Sequence, residues 1–419
     1  MAPVAVQSPS PVEVLKVEAL SLGAPVVKGN YTDEEKAKKI FETSYEPSES
    51  WWSSNQLAYT RPADDPLPAG FPEHVSPKTL WDGKQLINQP EKWLYTFTAE
   101  DVALLNKAYD HFAALNVHNN EIARATFPIP AESKLYAELQ NVTHEINHGV
   151  GLRVLRGLPV DEWERNKQIV IFAGISAYLG SETRQRQGVS DNNITHLRDI
   201  THLAADDRPA IVVKGQTSGN QVFHNDGAAS IVGLITLGVA EEGGLSQLSS
   251  AAATYNDLAN SRRDILRTLA KPDWVSHYGA KGDKPDEKAL LYLTDDGKEI
   301  FFAYSRRPFF GFYEAKSNVP PLSEDKHLAL DAVHFTAEKY SLDIELQKGD
   351  LEYFNNHTVF HARTSSRDSE KNARHLIRIY IENHEQEVPA ALQPQFDAVN
   401  KRDGPAPDKW PLEAWDKDS

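Results

Sequence analysis

Two short stretches of the chain contain residues that could bind a redox metal. His224 and Asp226 lie in QVFHNDGAASIVGLITL, and a second histidine, His361, follows far downstream in FNNHTVFHART. Two histidines and one carboxylate form the 2-His-1-carboxylate facial triad, which holds iron(II) on three adjacent corners and leaves three corners open. The pattern therefore predicts an iron site at which O2 and small molecules react.

Such a site needs a fold that brings distant segments together. Residues two apart in a strand project to the same side, so His224 and Asp226 can point to one place while Asn225 faces away. The third ligand lies 137 residues further on, which leaves room for several strands before the chain returns. We therefore expect a barrel-like β-fold. His357 is an alternative to His361, because residues four apart in a strand face the same way.

A later strand, in RTSSRDSEKNARHLIRIYIEN, carries two arginines on one face. Period-two alternation puts Arg374 and Arg378 together with Leu376 and Tyr380. Burying two guanidinium groups is costly unless each meets an acid. A dicarboxylic cosubstrate would supply one acid, because the planar guanidinium group matches a carboxylate in bidentate fashion.

Four ordered motifs resemble the taurine dioxygenase family of iron(II)/2-oxoglutarate oxygenases, particularly its fungal members of clavaminate synthase-like fold. The resemblance covers roughly residues 90 to 385 and includes GLRVLRGLPV at 151–160. The motifs are HND (224–226), EEGGLS (241–246), GDLEYFNNHTVFHAR (349–363) and RHLIR (374–378).

The resemblance implies a role for each matching residue. His224, Asp226 and His361 would be the iron ligands, and Arg374 would bind the far carboxylate of 2-oxoglutarate. Ser246 stands where the family has a threonine that assists that carboxylate, so the hydroxyl is kept and a methyl group is lost.

Two further positions follow from the same resemblance. Arg378 matches an arginine that binds the acidic group of the substrate in better-known members, although a structural ion pair is the alternative for this residue. The resemblance favours His361 over His357 as the third ligand, since His357 falls where the family usually has an arginine.

The implied enzyme is a non-haem dioxygenase that uses iron(II), 2-oxoglutarate and O2 to abstract hydrogen from a C–H bond. Its expected substrate is a small carboxylate, such as an amino acid or a secondary-metabolite acid. Hydroxylation, ring closure and desaturation all remain open as outcomes, because the metal ligands do not distinguish them.

Two alternatives belong to other classes of protein. The stretch HEINH, His144 to His148, matches the HExxH motif of zinc peptidases. The extended motif fails at Val154, where a third histidine would fall, and Gly149 ends the helix, so an amphipathic helix with exposed histidines is the simpler interpretation. The other alternative is a non-catalytic barrel that only binds a ligand, against which the full triad with Arg374 argues.

The composition excludes several classes of protein but does not identify a reaction. The chain has 419 residues and no cysteine, which excludes disulfides and thiolate sites. A reducing, cytoplasmic location fits this composition, and the start MAPVAVQSPSPVEVL lacks the pattern of a signal peptide. The net charge of −16 argues against nucleic acids and anionic membranes as partners. No pattern indicates an oligomeric state.

The order of patterns predicts a mainly β protein with flanking helices (α+β), a double-stranded β-helix or jelly roll. We expect a weakly ordered arm at 1–50, a single oxygenase domain at 51–385 and a surface-draped tail at 386–419. In the domain, N-terminal helices precede a jelly-roll core that begins at about residue 150. Trp51 and Trp52 open what is expected to be an irregular segment. Helices are predicted at 98–115, 133–147, 163–179 and 323–341, and strands at 209–215, 229–237, 289–294, 299–305, 343–349, 350–354 and 375–381.

Overall fold

The computed structural model describes residues 46–181, 184–187, 192–204, 214–276, 286–297, 299–310, 322–400 and 409–415. None of the helices in these ranges combines the length and the apolar character needed to cross a membrane. The cytoplasmic location stays a prediction.

Ten α-helices lie within the described residues. They are α1 (Glu49–Ala58), α2 (Gly83–Leu86), α3 (Ala99–Leu115), α4 (Lys134–His148), α5 (Arg165–Ser176), α6 (Ala251–Ser261), α7 (Arg263–Leu269), α8 (Arg307–Phe310), α9 (Glu324–Lys339) and α10 (Gln393–Asn400).

Seventeen strands lie in the same ranges. They are β1 (Leu94–Thr96), β2 (Leu152–Arg156), β3 (Arg184–Gln185), β4 (Ile194–Arg198), β5 (Gln221–His224), β6 (Ile231–Gly238), β7 (Glu242–Gly243), β8 (Ser246–Ser250), β9 (Trp274–Ser276), β10 (Asp286–Lys288), β11 (Leu291–Leu293), β12 (Ile300–Phe302), β13 (Leu342–Ile344), β14 (Leu351–Asn355), β15 (Val359–Arg363), β16 (Ser366–Arg367) and β17 (His375–Ile381).

Two sheets form the body of the molecule. The larger sheet has seven strands in the order β1-β2-β14-β6-β17-β3, with β4 also paired to β17. The smaller sheet has four strands in the order β13-β8-β15-β5. Their inner faces pack on each other, and this interior holds Val154, Leu234 and Leu376 from the larger sheet against Leu248 and Ile344 from the smaller. This is the predicted jelly-roll arrangement.

Helices cover the outer face of each sheet. On the larger sheet, α3, α4 and α5 pack against the outward residues of β6 and β17, including Ile235 and Ile379. On the smaller sheet, α6, α7 and α9 pack against Phe223 of β5 and Phe360 of β15. Because both outer faces are buried in apolar clusters, polar side chains that point between the sheets are enclosed.

The predicted face of β17 is confirmed for Leu376, Arg378 and Tyr380, whereas Arg374 lies before the strand and beyond a register shift between His375 and Leu376. Leu376 and Tyr380 lie in the interior between the sheets, whereas Ile377, Ile379 and Ile381 face the outer helices. Arg378 lies directly opposite Leu234 of β6, so its side chain shares the interior face.

The predicted helices at 98–115, 133–147, 163–179 and 323–341 are confirmed as α3, α4, α5 and α9. The irregular segment expected at Trp51 and Trp52 is wrong, because both residues lie in α1. The Ser48 side chain caps that helix by accepting a hydrogen bond from the Trp51 N–H at 3.2 Å. The strand expected at 209–215 falls mostly outside the described residues, and Lys214 and Gly215 lie in a 3-10 turn.

The described part of the C-terminal segment packs on the body. Trp410 lies against the helix-covered face of the larger sheet and donates from Nε1 to Asn120 at 2.7 Å. Phe396 of α10 contacts Phe301 of β12, with ring centroids 6.4 Å apart. The division into an arm, one domain and a tail stays a prediction, and residues 1–45 lie outside the described ranges.

Helix α3 offers a stability test far from the interior polar residues. Thr98 and Asp101 form a capping box at its start, which satisfies two N–H groups that would otherwise lack partners. Thr98→Ala should lower the free energy of unfolding by about 1 kcal/mol, measured by chemical denaturation. Thr98→Ser keeps the hydroxyl and should change it by much less; equal losses in both variants would contradict the capping role.

Candidate metal centre

The three predicted ligands meet between the two sheets. Strands β5 and β15 run antiparallel, and His224 and His361 are direct partners across them, with ring centroids 4.0 Å apart. Asp226 follows two residues after the end of β5, and its carboxylate lies 3.6 Å from Nε2 of each histidine. One ligand atom from each residue lies within 4.8 Å of the others. This spacing is compatible with a single ion bound by all three.

The protonation of the three side chains also suits a divalent metal. Nδ1 of His224 lies 2.8 Å from the Val222 carbonyl, to which it donates, and Nε2 is the nitrogen that lies toward Asp226. Burial, with His224 alongside, lowers the pKa of His361 to about 3, so that ring is neutral at pH 7. Burial opposes ionisation of Asp226, but Arg378 and the two histidines hold its pKa well below the usual value. A carboxylate and neutral imidazoles are the ligand forms that bind iron(II).

Asn356 holds the loop that carries Asp226, and the sequence analysis did not single it out. Its Oδ1 accepts from the Asp226 N–H at 2.9 Å, and its Nδ2 donates to the carbonyls of Asp226 at 2.7 Å and Ala229 at 2.8 Å. Asn225 in turn donates from Nδ2 to the Asn356 carbonyl at 2.6 Å. Asn356 lies in the turn between β14 and β15, so one turn fixes Asp226 and leads into the strand of His361. The paired asparagines before His357 were the available signal.

Arg378 contacts the acidic ligand. Its Nη1 donates to Asp226 Oδ2 at 3.0 Å and its Nε donates to Gln187 Oε1 at 3.0 Å. The guanidinium also lies 4.5 Å from the centroid of the Tyr380 ring. These contacts orient and partly neutralise the Asp226 carboxylate, as residues behind a metal ligand commonly do. Substrate binding by Arg378 stays a prediction.

His357 lies outside the triad. Its Nε2 is 3.1 Å from the Ala229 carbonyl, and its ring packs between Phe301 and Phe396 at centroid distances of 4.6 and 5.3 Å. Burial lowers the pKa of His357 to about 3. Geometry therefore favours His361 as the third ligand.

Arg374 and Ser246 lie on segments that touch each other. A side-chain carbon on Gly244 would lie 3.2 Å from Arg374 Cδ, and Ser246 follows two residues after this glycine. Within the described chain, no carboxylate forms an ion pair with the Arg374 guanidinium. Burial, together with the nearby Arg363, lowers the pKa of Arg374 to about 9. Burial disfavours the charged form of this guanidinium, and an incoming carboxylate would stabilise it.

Ser246 has a partner that was not predicted. Its hydroxyl donates to Oε2 of Glu352 at 2.8 Å, and both side chains are buried. The predicted contact of Ser246 with the cosubstrate stays a prediction.

The HEINH stretch forms no comparable cluster. His144 and His148 lie one turn apart at the end of α4, with ring centroids 5.3 Å apart. His148 is half exposed and pairs with Glu385 at 3.0 Å, while Ile146 faces the apolar core. Among the residues described, the group with metal-ligand spacing is the triad. The helix therefore gives no support to a zinc peptidase.

A small pocket opens beside Asp226. Asp226 lies in its wall, together with aromatic rings and one cation. Its lining includes Gly227, Lys288, Phe301, His357, Gln395 and Phe396.

Comparison with known proteins agrees with this geometry. The family model described as "Taurine catabolism dioxygenase TauD, TfdA family" matches residues 114–380. The taurine hydroxylase-like protein SAT17 of Stachybotrys chartarum is 29% identical over 338 residues, which cover 78% of this chain and 86% of that protein. The FR-33289 synthase of Streptomyces rubellomurinus is 24% identical over 316 residues, which cover 73% and 90%.

Two solved structures share the fold. One is an asparagine oxygenase in complex with Fe(II), 2S,3S-3-hydroxyasparagine and succinate, with a TM-score of 0.52 and 14% identity over 69% of this chain and 93% of that chain. The other is a variant of the non-heme iron oxygenase OrfP in complex with (3S)-hydroxy-L-arginine, with a TM-score of 0.51 and 17% identity over 71% and 98%.

The Asn356 contacts lead to a prediction about metal affinity. Asn356→Ala removes the hydrogen bonds that fix the Asp226 backbone and should weaken metal binding by about 10- to 100-fold. The measurement is titration of the purified protein with Mn²⁺ or Fe²⁺ under anaerobic conditions. Thr98→Ala is the control, because it destabilises the chain at a distance and should leave metal affinity unchanged. An Asn356→Ala protein with wild-type metal affinity would contradict the positioning role.

Proposed function

We propose that this chain, which belongs to the taurine catabolism dioxygenase TauD, TfdA family, oxidises a small carboxylate-bearing substrate with iron(II), 2-oxoglutarate and O2. The observation that carries the proposal is the meeting of His224, Asp226 and His361 within 4.8 Å. The protein is accordingly an oxidoreductase of the dioxygenase type.

Iron(II) bound to this triad would couple oxidative decarboxylation of 2-oxoglutarate to hydrogen abstraction from a C–H bond of the substrate. The side chains of the protein supply position and charge. The two histidines and Asp226 would hold the metal, and a triad of this type leaves positions for O2 and the cosubstrate. Asn356 fixes the backbone of Asp226, and Arg378 favours the ionised form of its carboxylate.

The proposed cosubstrate site lies on the inner face beside the start of β17. Arg374 would bind the far carboxylate of 2-oxoglutarate, which supplies the anion that its guanidinium lacks among the described residues. Ser246 would lie beside that carboxylate, while its one O–H is donated to Glu352. This arrangement uses the bidentate match between guanidinium and carboxylate.

The proposed substrate is an amino acid or another small carboxylic acid. Support comes from the cavity beside Asp226, whose wall combines the rings of Phe301 and Phe396 with the amine of Lys288. Pockets of this kind bury the apolar part of a ligand and orient it through a few polar groups. The solved relatives that share this fold hold hydroxylated asparagine and arginine. The net charge of −16 favours a small molecule over a nucleic acid.

A substrate screen tests the proposed function directly. The protein with Fe²⁺, 2-oxoglutarate and O2 should form succinate faster when the correct acid is added, and mass spectrometry should show a gain of oxygen or a loss of hydrogen in that acid. Asp226→Ala, which lacks the carboxylate ligand, is the control and should form neither product. Product formation that persists in Asp226→Ala would contradict the proposed site.

Arg374 can be tested separately from the metal. Arg374→Ala should raise the KM for 2-oxoglutarate by at least about 30-fold, which corresponds to about 2 kcal/mol for the loss of one partner of a buried charged pair. The KM for the prime substrate should change far less. Equal increases in both values would show that Arg374 does not bind the cosubstrate.

Substrate binding by Arg378 is tested with a variant that can still donate a hydrogen bond to Asp226. Arg378→Gln removes the charge but retains an N–H donor, so metal affinity should fall less than the affinity for an acidic substrate. We expect turnover of the acid to fall by about 10-fold or more, and turnover of its primary amide to change little, as for a charge-assisted hydrogen bond. Equal losses for the acid and the amide would assign Arg378 to the metal centre alone.

A further inference from the structure

Glu352 is a buried acid on the inner face of the larger sheet. It lies on β14, opposite Val154 of β2 and Leu234 of β6, and is only 1% exposed. Leu234 is in turn opposite Arg378. Glu352 thus points into the space between the sheets, which also contains the triad.

Among the residues that the structure describes, only one of the two oxygens of Glu352 has a hydrogen-bond partner. Oε2 accepts the hydrogen bond from the Ser246 hydroxyl at 2.8 Å, and Oε1 is buried without a hydrogen bond. An ionised carboxylate with an unpaired buried oxygen is costly, so the neutral acid is favoured. A neutral acid places an O–H on the free oxygen, and this donor then lacks an acceptor.

The groups around Glu352 set its charge state. β2 and β6 present the apolar Val154 and Leu234, and β8 presents the neutral Ser246. Burial and Asp350, which immediately precedes β14, raise the pKa of Glu352 to about 7, while Ser246 and the cation of Arg374 oppose the increase. Protonated and ionised forms therefore coexist near neutral pH.

Glu352 shares its surroundings with the proposed cosubstrate site. Arg374, the cation acting on Glu352, is the residue to which the far carboxylate of 2-oxoglutarate is assigned. Ser246, the hydrogen-bond partner of Glu352, belongs to the same site. Two ionised carboxylates cannot share so enclosed a site without strong repulsion, so one of the two must carry a proton.

We propose that Glu352 is a specificity-determining residue of the cosubstrate site, where its protonated carboxyl group donates a hydrogen bond from Oε1 to the far carboxylate of 2-oxoglutarate. This inference rests on the proposed function. Binding then proceeds with Glu352 neutral, and protein that carries an ionised Glu352 takes up one proton when 2-oxoglutarate binds.

The direction of the pH effect follows from this linkage. Below pH 7 Glu352 already holds its proton, so affinity for 2-oxoglutarate is independent of pH. Above its pKa of about 7 the proton must be recovered from solvent, and affinity falls by about 10-fold per pH unit. A 2-oxo acid without a far carboxylate does not need this proton.

Isothermal titration calorimetry on the Mn²⁺-loaded protein tests the proposal without turnover. The probes are 2-oxoglutarate and 2-oxobutanoate, which share the metal-chelating 2-oxo acid group and differ in the far carboxylate. Between pH 6 and 8.5 the affinity ratio of the two ligands should fall by about 30-fold. Titration at pH 8 in buffers of different ionisation enthalpy should show close to one more proton taken up with 2-oxoglutarate than with 2-oxobutanoate.

Glu352→Gln is the matched variant, because its amide donates a hydrogen bond at every pH. It should bind 2-oxoglutarate with a constant affinity ratio and no additional proton uptake. A ratio in the wild-type protein that does not change with pH would overturn the role of Glu352, even if the variant failed to fold. Failure of both 2-oxo acids to bind at any pH would overturn the proposed function and this inference together, whereas pH-independent binding of 2-oxoglutarate would overturn only the inference.

Discussion

The antiparallel pairing of β5 with β15 is the constraint on which the site depends. Direct opposition of His224 and His361 puts their ring centroids 4.0 Å apart, and backbone hydrogen bonds rather than side-chain contacts fix this separation. Asp226 reaches the same place from the loop after β5, where Asn356 binds both its N–H and its carbonyl. The two sheets and their helical layers keep these strands rigid and enclosed, as precise placement of metal ligands requires.

The balance of charges between the sheets explains the residues that surround the triad. Asp226 is ionised and is paired with Arg378, so the acidic ligand has a counterion before any metal binds. Arg374 lies immediately before β17 and has no ion pair among the described residues, and burial raises the pKa of Glu352 to about 7. The interior thus contains one ion pair, one cation that can bind a carboxylate and one acid that can donate a hydrogen bond when protonated. This distribution suits a dianionic cosubstrate.

The three residues of the candidate triad were predictable from the sequence because their signal is local and chemical. The H-x-D spacing and the alternation in β17 need only period-two geometry, which places His224 with Asp226 and gives the interior face of Arg378. Period two allows both His357 and His361, and the family resemblance selected His361. Contacts made across the sheets were not predictable in this way. The pairing of Arg378 with Asp226 joins residues 152 positions apart, and no periodicity encodes it.

Glu352 and Asn356 show two kinds of missed signal. In GDLEYF the acid of Glu352 stands between Leu351 and Tyr353, and period two places it on the same face as Phe354, so its burial could have been inferred from the strand. The hydrogen bonds from Asn356 to the backbone of Asp226 depend on the conformation of the turn. The residue types in a turn specify its conformation only weakly. The helix at 49–58 was missed because two tryptophans followed by prolines indicated an irregular segment. The helix-start signal at Ser48, whose side chain caps this helix, was not used.

The central claim is that His361, and not His357, completes an iron(II) site with His224 and Asp226. Anaerobic addition of Fe²⁺ and then 2-oxoglutarate, followed by visible absorption, tests it most directly in the wild-type protein and in His361→Gln and His357→Gln. The wild-type protein and His357→Gln should bind one Fe²⁺ and show a weak charge-transfer band, and His361→Gln should lose the band. A band that survives in His361→Gln and disappears in His357→Gln would contradict the ligand assignment.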